Sequence, residues 1–259
     1  SKQDRFKLIR NGCNLNRLNN PKYCDMSKPY QLLVIGNSHE PDGYNAFSQV
    51  YKGSGDVNLI SFGTTNKCNI KFEAGVPTSP ALYRLCRPRT ALLNNREFIA
   101  ELDGVVLSSN RPFAEKNRIG WQILAHLRAL KPDIPIVVMG GYINTLYNCT
   151  DLYNRFNSYD NCGASQYVSY NPFLETGFTG DLNGTPSQRY LFVDKTRLLC
   201  TTDTLDSCTI QTAGEPAFYD GHHLSMSFAT LLGRKIAAQY GENLIEMGFP
   251  APDFGVRPD

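Results

Sequence analysis

The 259-residue sequence contains no apolar run approaching the roughly 20 residues that a membrane-spanning helix needs, and no charged-then-apolar leader opens it. The chain is therefore expected to be soluble. Charge of one sign is also scarce. The 26 Lys and Arg residues against 24 Asp and Glu leave a formal net charge of +2, and their scatter offers no electrostatic footprint for nucleic acid. There are only four histidines, and no cysteine pair shows the close spacing of a structural zinc site, so no metal is expected. Internal repeats, low-complexity tracts and an interdomain linker are all missing. Residues 1–259 thus read as one domain, and a 41% hydrophobic content suffices for a substantial core. The sequence opens at Ser1 with a polar run and no Met, as expected of a processed or excised piece of a longer chain.

Cysteine, by contrast, is plentiful. Eight cysteines fall as four near neighbours: Cys13 with Cys24, Cys68 with Cys86, Cys149 with Cys162, and Cys200 with Cys208. An even count in loop-like flanks points to local disulfides and an oxidising compartment. Spacing alone does not fix the connectivity, so pairing of sequential neighbours is an expectation.

Short apolar runs alternate with helical patterns. Gln31 to Ile35, Val57 to Phe62, Gly104 to Ser108, Pro135 to Met139 and Tyr190 to Val193 read as strands. Helices are expected from about Asp42 to Tyr51, Ala91 to Leu102, Ala114 to Leu130 and Ser225 to Tyr240; in the third, Ile119, Ile123, Leu124, Leu127 and Leu130 recur at helical spacing. Continuous apolar strands separated by crossover helices belong to a parallel sheet covered on both faces. The expected fold is a three-layer α/β/α sandwich of flavodoxin-like type. Residues 1–30 read as an N-terminal extension bearing a disulfide. Residues 142–188, rich in Asn, Tyr, Gly and Ser, read as a long insertion beside the active face.

In an open α/β sheet, working groups gather beyond the carboxyl ends of the strands. The first strand runs into Gly36-Asn37-Ser38-His39, which places Ser38 near a helix N-terminus whose amides favour a developing oxyanion. A bare helix cap is the ordinary alternative for such a serine. Far downstream, Tyr219-Asp220-Gly221-His222-His223 precedes the last helix. A serine is a weak nucleophile until a base takes its proton, and that base needs a partner to fix its tautomer. Asp220 and His223 supply both from one turn, where an aspartate cap with two surface histidines is the competing reading.

Together these segments resemble the SGNH hydrolase superfamily, also called GDSL lipases and esterases. The family's Gly-Asp-Ser block is matched by Gly36, Asn37 and Ser38, and its closing Asp-x-x-His block by Asp220 and His223. The resemblance therefore implies that His223, and not His222, is the base. Gly63 fits the second block. The third block, an asparagine after the third strand, is matched by Asn110, with Ser108 in place of the usual glycine and Arg111 in place of the usual aspartate. Asn144, after the fourth strand, is the competing asparagine. Asn37 for the usual aspartate is expected to alter loop scaffolding more than chemistry.

Over its whole length the chain is similar to the periplasmic SGNH domains fused to acyltransferase-3 membrane proteins, which O-acetylate bacterial surface glycans such as lipopolysaccharide O-antigen. That resemblance implies a triad of Ser38, His223 and Asp220, and an oxyanion hole from the amides of Ser38 and Gly63 with the Asn110 side chain. It implies no metal and no organic cofactor. It further implies an acyl donor delivered by a membrane domain upstream of Ser1, a glycan acceptor, and a periplasmic location tethered to the inner membrane. A carbohydrate or lipid esterase with the same triad, and a non-catalytic glycan-binding module, are the alternatives.

Overall fold

The computed structural model describes residues 2–15, 24–63, 80–109, 119–158, 162–168, 189–201, 208–212 and 214–253. Two short helices, α1 (Lys2–Arg5) and α2 (Lys7–Asn11), lead into strand β1 (Cys13–Asn14). The main alternation follows: β2 (Tyr30–Gly36), α3 (Glu40–Val50), β3 (Val57–Gly63), α4 (Pro80–Leu93), α5 (Arg96–Glu101), β4 (Gly104–Ser108), α6 (Ile119–Leu130) and β5 (Ile136–Gly140). After β6 (Tyr142–Thr145), α7 (Cys149–Phe156) and β7 (Ala164–Val168) come β8 (Tyr190–Asp194), a single helical turn Lys195–Leu199, and the C-terminal helix Met226–Met247.

The six-stranded sheet runs β1-β3-β2-β4-β5-β8, and every neighbouring pair is parallel. Side chains alternate across it because the strand period is two. Leu32, Val34, Val106, Val137 and Met139 face one layer, where Phe47 and Val50 of α3 and Phe228, Leu232 and Ile236 of the C-terminal helix cover them. Leu33, Ile35, Val105, Leu107 and Val138 face the other, against Ile99, Ile123, Leu124 and Leu127 of α5 and α6. The expected three-layer α/β/α architecture is the observed one. From β2 the chain steps first to β3 and then back across to β4, so the order reverses around β2. That reversal opens the crevice beyond the strand ends where such folds place their sites.

Several details differ from expectation. The single helix expected over Ala91 to Leu102 is two, because Asn95 leaves the helical region and its side chain accepts a hydrogen bond from the Phe98 amide as the cap of α5. The last helix runs past Tyr240 to Met247 and ends at Gly248, whose φ of 98° suits glycine. Within the supposed insertion, β6 and β7 form an antiparallel ribbon, while 169–188 fall outside the described residues. The N-terminal segment is more than an extension: β1 adds to the sheet edge, and the Arg5 side chain is buried.

Disulfides join Cys13 to Cys24, Cys149 to Cys162, and Cys200 to Cys208. Cys68 and the Cys86 side chain lie outside the described residues. Among the described residues no helix is long and apolar enough to cross a membrane.

Candidate active site

Gly36, Gly63 and Ser108 stand in register at the ends of β2, β3 and β4. A Cβ on Gly36 would lie 1.8 Å from the Ser108 carbonyl oxygen, which explains why only glycine fits where the chain turns out of the sheet. Two residues later Ser38 is exposed while His39 and Glu40 behind it are buried. Asn37 shapes this turn, its side-chain oxygen accepting from the His39 amide at 3.0 Å. The structure therefore gives Asn37 a scaffolding contact. His39, not Ser38, occupies the cap position of α3.

The other half of the site is a closed turn. The Tyr219 amide donates to the His223 carbonyl, and the Ser225 amide to that of Ala217. Asp220 holds the turn from inside, one carboxylate oxygen accepting from the amides of His222 and His223 at 2.9 and 2.8 Å. Its other oxygen is 2.7 Å from His223 Nδ1. Burial alone would raise the Asp220 pKa, but the hydrogen bonds from the His223 ring and the two amides outweigh it and hold the carboxyl well below its usual range. An ionised Asp220 can only accept, so His223 Nδ1 carries the proton and Nε2 carries the lone pair. That lone pair faces Ser38 Oγ at 2.9 Å. The Tyr219 ring lies 5.5 Å from that of His223 and nearly parallel to it, limiting its tilt.

A second chain of polar groups runs behind the first, and the sequence reading did not find it. His39 Nδ1 is 2.9 Å from one oxygen of Asp42, and Arg5 donates from Nε and a terminal nitrogen to the other at 3.0 and 2.8 Å. Burial opposes ionisation of Asp42, yet Arg5 and His39 more than compensate and push its pKa below the carboxylate range. Burial lowers the His39 pKa to about 4 even with Asp42 pulling the other way, so the ring is neutral, with its proton on Nδ1. Its Nε2 then accepts from His222 Nδ1 at 3.2 Å. Arg5 also donates to the Ser38 carbonyl at 2.6 Å, fixing the backbone of the serine from 33 residues away. His39 and Asp42 carried a signal, lying one and four positions beyond Ser38 on the helix start. Arg5 carried none.

The histidines are well placed to converge: one ring nitrogen from each of His39, His222 and His223 lies within 4.8 Å of the others. Only His126 stands apart, bonded to the Leu93 carbonyl.

Of the residues expected at the oxyanion hole, Gly63 lies at the strand end opposite Gly36, and Asn110 lies outside the described residues, as does its neighbour Arg111. Asn144 sits on β6. Its amide nitrogen donates to the Thr145 carbonyl at 3.2 Å, and its oxygen faces Gly221. The Thr145 amide donates to the Gly221 carbonyl at 2.8 Å, so this ribbon braces the Asp220–His223 turn. Ser108 is buried, and its hydroxyl donates to the His39 carbonyl at 2.7 Å. It has room because position 43 is glycine, where a Cβ would meet the Ser108 Cβ at 2.5 Å.

Comparison with solved structures finds the same fold in the periplasmic domain of a Salmonella ser. Paratyphi A lipopolysaccharide acetyltransferase, at a TM-score of 0.55 and 16% identity, over 93% of this chain and 94% of that one. No curated protein matches the sequence. Residues 12–238 match the family described as SGNH domain (fused to AT3 domains). With the match spanning most of the chain, and with the parallel sheet and its strand-end serine in place, this protein belongs to that SGNH family.

Proposed function

We propose that this chain is the acyl-transferring domain of an O-acyltransferase that acetylates a bacterial surface glycan such as lipopolysaccharide O-antigen, with Ser38, His223 and Asp220 as its triad. The observation that carries the reading is the unbroken path from Ser38 Oγ to His223 Nε2 at 2.9 Å and from His223 Nδ1 to Asp220 at 2.7 Å. Family membership and the fold shared with a lipopolysaccharide acetyltransferase domain agree with it.

His223 takes the Ser38 proton as Oγ attacks the carbonyl carbon of the acyl donor, and Asp220 stabilises the imidazolium that forms. The oxyanion is received by the amides of Ser38 and Gly63 and the Asn110 side chain. Collapse of the tetrahedral intermediate passes the proton from His223 to the leaving group and leaves Ser38 acylated. A sugar hydroxyl then gives its proton to His223, attacks the ester, and departs acylated as Ser38 recovers its proton. The AT3 domain named in the family description is the membrane partner that would deliver the donor on the periplasmic side.

An esterase with the same triad would differ only in the second nucleophile, and exposure of Ser38 gives water access to the same position. Transfer requires the acceptor hydroxyl to be oriented better than water, an effect worth several kcal/mol. The test supplies an activated acetyl ester with and without a glycan acceptor. Slow hydrolysis, faster acyl release with the acceptor, and acetylated glycan among the products are expected, all lost in Ser38→Ala. Rapid deacetylation of an acetylated glycan with no acceptor product would replace transfer by hydrolysis. Activity surviving in Ser38→Ala would remove both.

A further inference from the structure

The convergence of His39, His222 and His223 is more than a single general base requires. In an Asp-His-Ser arrangement one imidazole suffices, yet three of the chain's four histidines bring ring nitrogens within 4.8 Å of one another. The groups behind them resemble the surroundings of a metal site. Ligating histidines nearly always donate their other ring N–H to a carboxylate or carbonyl, which fixes the tautomer and aims the lone pair. Here that device occurs twice: His39 Nδ1 faces Asp42 at 2.9 Å and His223 Nδ1 faces Asp220 at 2.7 Å. Both rings are thereby left with a lone pair on Nε2.

We infer that His39, His222 and His223 form a three-imidazole site for a divalent ion of the Zn2+ class, whose occupation blocks the triad. Neutral imidazoles suit zinc, copper and nickel and are poor ligands for magnesium or calcium. Nitrogens around a tetrahedral Zn2+ with bonds of about 2.0–2.1 Å stand about 3.3 Å apart, and His39 Nε2 and His222 Nδ1 are 3.2 Å apart. The proton now between that pair moves to His222 Nε2, so all three ligands bind as neutral rings and none is lost to solvent. The His223 nitrogen lies within 4.8 Å of the other two, so binding requires its ring to rotate towards them. The carboxylates of Asp42 and Asp220, hydrogen-bonded to the Nδ1 atoms of two of the ligands, offset the charge of the ion. A fourth position stays open for water, as in zinc sites with three protein ligands.

The consequence follows from which lone pair the ion takes. His223 Nε2 is the atom that faces Ser38 Oγ at 2.9 Å. Once coordinated it cannot accept the serine proton, and the nucleophile is left unactivated. The binding half of the inference is independent of the proposed function, whereas the blocking half rests on it.

The test uses the full chain, stripped with a chelator and titrated with Zn2+ by calorimetry. One ion per chain is expected, with binding weakened at least about tenfold in both His39→Gln and His222→Asn. In parallel, Zn2+ should slow labelling of Ser38 by a fluorophosphonate, and EDTA should restore it. Each variant is compared with itself in the presence and absence of the ion. Should the buried His39→Gln fail to fold, His222→Asn at the half-buried edge decides the matter by itself. No binding to the wild-type chain, or binding that His222→Asn leaves intact, would overturn the site. Binding without any slowing of labelling would overturn the block. Absence of labelling even in chelator would reject the serine-enzyme reading while leaving the calorimetric result to stand.

Discussion

Asp220→Asn separates chemistry from scaffolding more cleanly than any other change in the site. The carboxylate performs two tasks with its two oxygens: one accepts from the backbone amides of His222 and His223 at 2.9 and 2.8 Å, and the other faces His223 Nδ1 at 2.7 Å. Asparagine keeps an oxygen for the amides, so the turn survives. Its NH2 replaces the second oxygen and donates to Nδ1, which drives the imidazole proton to Nε2. That proton then points at Ser38 Oγ across 2.9 Å, where a lone pair is needed. The serine loses its base, and the imidazolium loses its counter-charge. In serine enzymes of this arrangement the same exchange lowers kcat by about 10,000-fold, equivalent to about 5.4 kcal/mol at about 1.36 kcal/mol per decade. Steady-state hydrolysis of an activated acetyl ester and the rate of fluorophosphonate labelling should both fall by this order, while the circular dichroism spectrum stays unchanged. A loss below about tenfold in a folded variant would refute the assignment of Asp220 as the group that sets the His223 tautomer.

Asn110→Ala is expected to lower turnover by about 100-fold or more, the usual cost of one oxyanion donor, whereas Asn144→Ala should cost far less; the reverse ranking in ester hydrolysis would move the oxyanion role to Asn144. Arg5→Met strands the buried Asp42 carboxylate and should destabilise the fold by about 3–5 kcal/mol in urea denaturation. Because Arg5 and His39 hold the folded pKa of Asp42 below the ordinary aspartate value of about 3.9, its contribution is complete above that value and is lost as the pH falls through the folded pKa. The acid branch of stability should therefore be shallower in Arg5→Met than in wild type, and identical branches would count against the pair. Non-reducing peptide mapping should find Cys68 joined to Cys86, and a free thiol at either position or a bond to a distant cysteine would reject that pairing.

The alternation of apolar runs and amphipathic helices was enough to give the layer order, because strand and helix periods are local properties and a parallel sheet buried on both faces leaves unbroken apolar segments. Gly36, Ser38, Asp220 and His223 were readable for a similar reason: each pair belongs to one short segment whose geometry the neighbouring residues impose. Other features depend on contacts between segments far apart in the chain. Arg5 reaches Asp42 and the Ser38 carbonyl only because α1 packs over the start of α3. His39 and His222 meet across a separation of 183 residues, so no spacing rule can join them. The Asn95 break and the run of the last helix to Met247 were missed where a cap had to be weighed against continued helix, a difference of about 1 kcal/mol that tertiary packing overrides. Periodicity and the two short motifs thus carried the layers and the segments that bring Ser38, His223 and Asp220 into contact. The buried Arg5-Asp42-His39-His222 chain behind it came from packing, because burial sets which of its groups are charged, and burial is a property of the folded chain.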